Sequence, residues 1–216
     1  MSRMKKKIPE LSIRRLILYS RYIHDLTRQN RGRLLSEEIA QYFNLDPSQV
    51  RKDFSFVGQL GKRGCGYDLG TLQGDIDRAL SFKQKLNVIL VGCGKLGTAL
   101  LGYPILKEFK FNIVRAFDVD PQIIRRKVHD VTVEDYSGIR RFIADNRVRT
   151  AILAVPQETA KEVAGQLIAW GIKGILNFAP VFLHFSDKVL IRNVDFSVDF
   201  NIFRYQMFKE NKVCGR

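Results

Sequence analysis

The sequence has few cysteines and no long apolar run, and each shortage excludes a class of protein. Its three cysteines, Cys65, Cys93 and Cys214, are scattered without the paired spacing of a zinc site or a disulfide framework. We therefore expect reduced thiols in a cytoplasmic protein with no metal site. No apolar run approaches the roughly 20 residues that a bilayer span needs. No apolar segment follows the basic start MSRMKKKIPELSI, so we expect neither a secretory signal nor a membrane partner.

Acidic residues are also scarce, with 22 Asp and Glu against 36 Lys and Arg and a formal net charge of +14. The excess is concentrated, because residues 1–65 hold 14 basic and 6 acidic side chains. A charge that only keeps the protein in solution is the alternative, but a concentrated excess favours a nucleic-acid partner. With 216 residues, 45% of them hydrophobic, the chain is sufficient for one or two folded domains.

The first third of the chain predicts short helices joined by a tight turn. Apolar residues at helical spacing predict a helix over residues 11–27. Ser36, followed by two acidic residues, is predicted to cap a short helix over residues 36–43. Asp46 and Pro47 then open a further helix that runs to about residue 57. Two short helices around a tight turn are typical of a helix-turn-helix.

A basic, glycine-dense segment over residues 58–67 follows these helices, and we interpret it as the hairpin wing of a winged helix-turn-helix. An ordinary loop is the alternative for the glycines, and a solvated surface helix is the alternative for the Arg-Lys pair. The order of the elements favours double-stranded DNA. Phosphate contacts are assigned to Lys62 and Arg14, and base-edge contacts to Arg51, Lys52 and Arg63. The full set of candidate DNA-binding residues is Arg14, Gln49, Arg51, Lys52, Lys62, Arg63 and Gly64.

The pattern changes near residues 81–86, after which apolar strands alternate with helices. Strands are predicted over residues 87–91, 111–117, 150–155 and 174–178, and helices over residues 96–106 and 158–170. This alternation predicts an α/β fold with a doubly wound parallel sheet, a Rossmann domain, behind the winged helix-turn-helix domain.

The segment VILVGCGKLG holds a G-x-G-x-x-G turn between a predicted strand and a predicted helix, the context that dinucleotide binding requires. Gly92 permits the tight turn, Gly94 lets the backbone approach a pyrophosphate, and Gly97 lets helix and strand pack closely. Asp118, at the end of the next strand, is placed to bind ribose hydroxyls and repel a 2′-phosphate, which favours NAD(H). A glycine turn without ligand is the alternative. The candidate cofactor-binding residues are Gly92, Cys93, Gly94, Lys95, Leu96, Gly97, Asp118, Val155 and Pro156.

The sequence predicts no catalytic apparatus beside this turn. Only 119 residues follow Gly97, and the remaining strands of the sheet consume nearly all of them. Of the three histidines, only His184 is placed near a nicotinamide, and it has no evident carboxylate to orient it. We therefore predict no catalytic residue and a sensor. The alternatives are a small NAD-dependent oxidoreductase with an N-terminal interaction domain and a CoA- or nucleotide-binding subunit of an enzyme.

The chain resembles the Rex family of redox-sensing transcriptional repressors from about residue 8 to residue 205. The most specific segments are VRKDFSFVGQLGKRGCG at residues 50–66, GIKGILNFAP at 171–180 and NVDF at 193–196. The resemblance implies a winged-helix DNA-binding domain over residues 1–85, a Rossmann domain over 86–197, and a C-terminal dimerisation region over 198–216. In that region, a helix over residues 198–209 is implied to be exchanged with the partner subunit.

The resemblance also implies function and site residues. It implies a homodimer that binds a palindromic operator, takes up NADH or NAD⁺ and leaves the DNA when NADH binds. Tyr103 and Phe196 are implied to lie near the nicotinamide, Phe196 across the dimer interface, and Asp195 to pair with Arg21 in the DNA-competent state. The chain departs from the family at residues 127–132, which lack paired glycines, and at Cys65 in the wing. A thiol switch at Cys65 and a small, partly buried side chain are both open.

Overall fold

The computed structural model of the chain describes residues 8–59 and 66–210. The chain divides into two compact units, residues 1–84 and residues 85–216, which are described separately. None of the helices in the described ranges is long and apolar enough to cross a membrane.

The described part of the first unit is mainly helical. Its elements are α1 (Glu10–Arg28), β1 (Arg33–Leu34), α2 (Ser36–Phe43), α3 (Pro47–Phe56), β2 (Tyr67–Asp68) and α4 (Leu69–Ala79). The helices predicted over residues 11–27, 36–43 and 46–57 are confirmed to within one or two residues. The helix α4 was not predicted.

The core of the first unit forms because α1 turns one apolar face inward. Leu16, Tyr19 and Ile23 recur at helical spacing and are fully buried. They pack with Phe54 of α3, whose ring lies edge-on to Tyr19 at a centroid distance of 5.6 Å. Burial of each large apolar side chain stabilises the fold by about 1.5–3 kcal/mol. This shared core fixes α3 against α1 and leaves the opposite face of α3 to solvent.

The N-termini of α2 and α3 are capped differently. Asp46 caps α3 as predicted, since its Oδ1 accepts from Ser48 N–H at 2.7 Å. The predicted cap at Ser36 is wrong, because Ser36 already lies inside the first turn of α2. Leu35 holds the cap position with extended backbone, and its N–H donates to Glu38 Oε2 at 2.7 Å. The Glu38 carboxylate thus satisfies the N–H of the cap residue, which is one of the two reciprocal hydrogen bonds of a capping box.

The strand β2 begins at the end of the predicted wing, and its partner lies far away in the sequence. β2 pairs antiparallel with β1, with Leu34 opposite Tyr67. Gly66 immediately before it has φ +65°, and a Cβ there would lie 2.9 Å from Leu34 O. Glycine is therefore required where the chain turns into β2. The tip of the predicted wing, with Lys62, Arg63, Gly64 and Cys65, lies outside the described residues.

The second unit is built around one sheet. Its strands are β3 (Leu86–Val91), β4 (Phe111–Asp118), β5 (Lys127–Val128), β6 (Val131–Asp135), β7 (Thr150–Leu153), β8 (Gly174–Asn177) and β9 (Leu190–Asn193). Its helices are α5 (Lys95–Leu101), α6 (Pro104–Glu108), α7 (Ile139–Asn146), α8 (Gln157–Ala169) and α9 (Phe196–Glu210). The strand order in the described residues is β5-β6-β4-β3-β7-β8-β9, parallel except for β5 against β6.

This order confirms the predicted α/β fold with a doubly wound sheet. Apart from the short β5, it is the arrangement of two mononucleotide-binding halves that meet between β3 and β7. All of residues 88–91 are buried, with alternate side chains in the two core clusters on opposite faces of the sheet. Helices cover both faces, so the crevice at the carboxyl ends of β3 and β7 is the place where such sheets bind ligands.

The helix predicted over residues 96–106 is wrong in one respect. It is broken into α5 and α6, because Pro104 disfavours helical backbone in the residue before it. Tyr103 accordingly has extended backbone with φ −78° and ψ 108°. The prediction also missed β5, β6, α7 and β9, which are short or lie at the sheet edge. The last helix begins at Phe196, two residues before its implied start.

Candidate functional site

The glycine turn after β3 has little room for side chains. Gly92 has φ +92°, and a Cβ there would lie 2.5 Å from Ala154 O, at the end of β7. A Cβ on Gly97 would lie 2.0 Å from Gly92 O. Around Gly94 nothing lies within 4 Å of the Cβ position. The two tight glycines fold the turn as the sequence predicted, and the space around Gly94 is open; the approach of a pyrophosphate to its backbone stays a prediction.

The turn leads directly into α5, for which Gly94 is the N-terminal cap residue without a side-chain hydrogen bond. The first N–H groups of α5, those of Lys95 and Leu96, point away from the helix and carry its partial positive charge. A diphosphate satisfies such groups well. The residues present therefore fit the pyrophosphate of a dinucleotide.

Asp118 ends β4 beside this turn. Its Oδ2 accepts from Cys93 N–H at 2.5 Å, and its Oδ1 accepts from Val119 and Asp120 N–H at 2.7 and 2.9 Å. A carboxylate has about four acceptor positions, so three backbone donors leave one open position. Asp118 thus holds the turn in shape and retains capacity for a ribose hydroxyl.

The thiol of Cys93 is buried at the glycine turn. Cys93 is 2% exposed, and burial, with the nearby charge of Asp118 as a second cause, raises the pKa of its thiol to about 12. Thiolate is the reactive form. Cys93 therefore contributes its backbone N–H to the turn, and its buried side chain is a protonated thiol at neutral pH.

Of the remaining predicted cofactor residues, Val155, Pro156 and Phe196 follow the carboxyl ends of strands. Val155 and Pro156 follow β7 directly; Val155 N lies 3.0 Å from the Cβ position of Gly92, and Pro156 caps α8. Tyr103 lies in the turn between α5 and α6 and is half exposed. Phe196 begins α9 with its ring 6.2 Å from that of Phe178.

The candidate DNA-binding residues of α3 differ in how firmly they are held. Arg51 Nη1 donates to Ser36 Oγ at 3.2 Å and to Glu37 Oε1 at 3.1 Å. Gln49 Nε2 donates to Asp53 Oδ1 at 3.1 Å. Lys52 is exposed on the same helix, and Arg14 on α1 pairs with Glu10 at 3.3 Å. The ion pairs of Arg51 and Arg14 lie at the surface and contribute little stability, so a phosphate can replace them, whereas Gln49 is bonded to a buried carboxylate.

A buried carboxylate that sequence reasoning missed orients α3. Asp53 is fully buried and accepts from Arg15 Nε at 2.6 Å, from Arg15 Nη2 at 2.9 Å and from Tyr19 OH at 3.2 Å. Desolvation, with the Asp53 charge as the next cause, raises the pKa of Tyr19. The hydrogen bond to Asp53 raises the pKa of Arg15. No sequence signal links residues 38 positions apart, although an aspartate on an otherwise apolar helix face was a hint.

The implied pairing of Arg21 with Asp195 stays a prediction. Asp195 accepts from Ser197 N–H at 2.9 Å at the start of α9, and hydrogen bonds from the side chain and backbone of Ser197 lower its pKa. Asp195 is therefore an ionised, exposed carboxylate, ready for a cationic partner.

Histidines and acids do not gather into a reactive centre in the described ranges. His24, His129 and His184 are all exposed and belong to different elements. No group of three or more His, Cys, Asp or Glu residues in residues 8–59 and 66–210 is arranged to hold a metal ion.

Two family models match the chain. One, described as "Putative DNA-binding protein N-terminus", matches residues 7–55, and one described as "CoA binding domain" matches residues 83–181. Among solved structures, RSP, a Rex-family repressor, superposes with a TM-score of 0.86 at 30% identity, covering 97% of this chain and all of that one. The structure of RSP in complex with NAD⁺ and operator DNA has a TM-score of 0.84 at 31% identity, covering 98% and 100%.

Curated relatives agree over nearly the full length. The redox-sensing transcriptional repressor Rex of Carboxydothermus hydrogenoformans is 37% identical over 94% of this chain and 98% of its own. Rex 1 of Thermotoga maritima is 36% identical, with 96% and 100% covered. These relatives are regulators and not enzymes. The chain belongs to the Rex family of redox-sensing transcriptional repressors.

Proposed function

We propose that this protein is a repressor that reports the NADH/NAD⁺ ratio to operator DNA. The proposal is carried by the presence, in one chain, of a helix-turn-helix and a glycine turn typical of dinucleotide binding. In that turn Gly92 and Gly97 have no room for a side chain, whereas the space around Gly94 is open. No acid-base pair accompanies the turn in the described residues, so the bound nucleotide acts as a signal. The protein acts in the cytoplasm, where DNA and the dinucleotide pool are both present.

The cofactor is held in two halves. The turn from Gly92 to Gly97 takes the pyrophosphate, and Asp118 takes the adenosine ribose, which favours NAD(H) over NADP(H). Val155 and Pro156 border the crevice at the end of β7. Relatives support this assignment, since RSP has been solved with NADH and with NAD⁺ plus operator DNA.

Discrimination between the redox forms arises at the nicotinamide, because the adenosine halves are identical. A planar, charged ring and a puckered, neutral ring meet Tyr103 and Phe196 differently. Both side chains are half exposed in this chain and therefore available to a ligand or to a partner subunit. Asp195 pairs with Arg21 in the state that binds DNA.

DNA recognition is assigned to α3 in the major groove. Lys52, Arg51 and Gln49 lie along this helix, and Lys62, Arg63 and Gly64 of the wing supply further contacts, as does Arg14 through phosphate. Arg51 must exchange its contact with Glu37 for one with DNA, which costs little at a half-exposed ion pair.

The working form is a homodimer on a palindromic operator. Large apolar side chains of α9 are exposed on every side of the helix, and a helix that is hydrophobic all round is normally buried. We assign the partner of α9 to a second copy of the same chain, which supplies an identical apolar helix. The two-fold symmetry of such a dimer matches the symmetry of a palindromic operator. The exposed residues are Phe196, Val198, Phe200, Ile202, Phe203, Tyr205, Met207 and Phe208.

A CoA-responsive protein is the second candidate, favoured by the family model over residues 83–181. Asp118 argues against it, because a carboxylate at the ribose repels the 3′-phosphate of CoA as it repels a 2′-phosphate. Competition between NADH and CoA for the protein, followed by NADH fluorescence, decides. Displacement of NADH by equimolar CoA would favour a CoA-responsive protein.

The proposal is tested by anisotropy of a labelled palindromic operator duplex, titrated with protein alone, with NAD⁺ and with NADH. Salt is held constant because the phosphate contribution otherwise dominates the comparison. We expect NADH to weaken operator binding and NAD⁺ to leave it intact. Specific binding that is indifferent to both cofactors would refute the sensor function.

A further inference from the structure

Two asparagines stand side by side at the carboxyl ends of β8 and β9. Asn177 and Asn193 are register partners in this parallel pair, and Asn177 is fully buried. Asn177 Nδ2 donates to Asn193 Oδ1 at 2.9 Å and to Val181 O at 2.8 Å, while Asn177 Oδ1 accepts from Ala179 N–H at 3.0 Å. The side chain of Asn177 therefore has partners for both its donor and its acceptor atoms.

Asn193 extends the same network into the loop after β8. Its Oδ1 also accepts from Leu183 N–H at 3.0 Å, and its Nδ2 donates to Leu183 O at 3.0 Å. The Asn193 amide thus mimics a backbone partner for Leu183. Together the two asparagines fold residues 178–183, the β8 loop, back onto the two strand ends.

The start of α9 is tied to the same anchor. Val194 N–H donates to Asn177 O at 2.8 Å, and α9 begins two residues later. The Phe196 ring in its first turn lies 6.2 Å from the ring of Phe178 in the β8 loop. The beginning of α9 is therefore held by the end of β8 and lies beside the β8 loop.

The β8 loop follows the carboxyl end of β8, in the half of the sheet where we expect the nicotinamide end of the cofactor. The glycine turn and Asp118 occupy the half of the sheet that contains β3 and β4, which leaves the half with β7, β8 and β9 for the second nucleotide. The carboxyl edge of β8 borders that half, since Asn177 is the register partner of Leu153 at the end of β7.

We propose that Asn177, locked to Asn193, is a positioning residue that transmits the state of the nicotinamide pocket to α9. This inference rests on the proposed sensor function. The β8 loop responds to the ring at one side of the lock, and Phe196 and Asp195 take up the response at the other. A buried amide whose donor and acceptor atoms both have partners, as in Asn177, suits this role because it allows one arrangement and makes partial rearrangement costly.

The test compares Asn177→Ala and Asn193→Ala with a matched pair elsewhere in the sheet. Asn112 Nδ2 donates to Asn87 Oδ1 at 2.8 Å across β4 and β3, at the amino ends of those strands. Asn112→Ala therefore removes a cross-strand amide contact far from the cofactor edge. For each variant, the affinities for ADP and NADH and the factor by which NADH weakens operator binding are measured.

Linked sites typically change each other's affinity by about 5–150-fold. We expect Asn177→Ala to reduce the factor by which NADH weakens operator binding to under about twofold. ADP affinity should remain within about twofold of wild type, because adenosine binds the other half of the sheet. Asn193→Ala should act in the same direction, and the double variant should lose little more than either single one, since the two amides work as a unit. Asn112→Ala should retain the wild-type factor.

A folded Asn177→Ala protein with the wild-type NADH effect on operator binding overturns the inference. If Asn177→Ala fails to bind ADP, the test passes to Asn193→Ala, because Asn193 is only half-buried. A wild-type NADH effect on operator binding in that variant then overturns the inference. If NADH leaves wild-type operator affinity unchanged, the proposed function fails. Hydrogen exchange of residues 194–200 then decides the inference: an NADH-induced change that is lost in the variants supports it, and no change in wild type overturns it.

Discussion

Replacing Asp53 with alanine is the sharpest test of how α3, the helix proposed to read DNA, is held. The carboxylate is fully buried and accepts a bidentate bond from Arg15 and further bonds from Tyr19 and Gln49. The substitution leaves the guanidinium and the phenol without their acceptor inside the first unit. Breaking a buried ion pair costs about 3–5 kcal/mol. The Arg15 side chain is 22% exposed and regains some water, so we expect the free energy of unfolding to fall by about 3 kcal/mol.

Trp170, the single tryptophan, belongs to the second unit, whereas both units contain helices. Urea unfolding is therefore followed by Trp170 fluorescence, which reports the second unit, and by far-ultraviolet circular dichroism, which reports the helices of both units. The part of the circular-dichroism change that does not coincide with the fluorescence change is the first-unit transition. With a slope of about 1–3 kcal/mol per molar urea, the first-unit transition should move down by roughly 1–3 M. The fluorescence transition should stay in place.

The control is Asp130→Ala, which removes an ion pair with Lys107 in which both side chains are mostly exposed. Such pairs contribute little, and we expect no shift in either transition. Asp53→Asn, which keeps the volume but presents an amide to the guanidinium, should fall between wild type and alanine. A first-unit shift below about 1 kcal/mol for Asp53→Ala would refute the argument that this carboxylate anchors α3.

Four further predictions concern single positions. Gly97→Ala places a Cβ 2.0 Å from Gly92 O; overpacking costs about 1–3 kcal/mol, so both the melting temperature and NADH affinity should fall. Gly94→Ala, with open space around its Cβ, should lower NADH affinity at an unchanged melting temperature; equal behaviour of the two variants in calorimetry would contradict the assignment. Cys93, with a thiol pKa of about 12, should resist alkylation at pH 8 in the native protein and react in urea, as peptide mass mapping reports. Hydrogen bonds from the side chain and backbone of Ser48 lower the pKa of Asp46. The stability that this cap contributes is therefore fully present above the pKa of Asp46 in the unfolded chain and is lost as the pH falls through its pKa in the folded protein. An NMR titration that gives the Asp46 carboxylate an ordinary aspartate pKa would count against the cap.

Features that depend on neighbours in the chain could be predicted from the sequence. The helices of the first unit follow from local apolar spacing, and the cap at Asp46 depends on a residue two positions away. The glycine turn is equally local, because Gly92, Gly94 and Gly97 act within one strand–turn–helix segment. The alternation of strands and helices was enough for the doubly wound sheet, although Pro104 divided one helix and the short edge strands carried too little pattern.

Features that join distant segments were decided by the tertiary structure alone. Arg15 and Asp53 lie 38 positions apart, and β2 pairs with β1 across two helices. Asn177 and Asn193 meet only because β8 and β9 become neighbours in one register. A one-residue slip in a parallel pair would turn each side chain to the opposite face. The sequence by itself therefore determined the two kinds of domain and the cofactor turn, since local backbone preferences suffice for them. The buried carboxylate under α3 and the asparagine lock beside α9 required the fold, because long-range packing and register decide which polar groups meet.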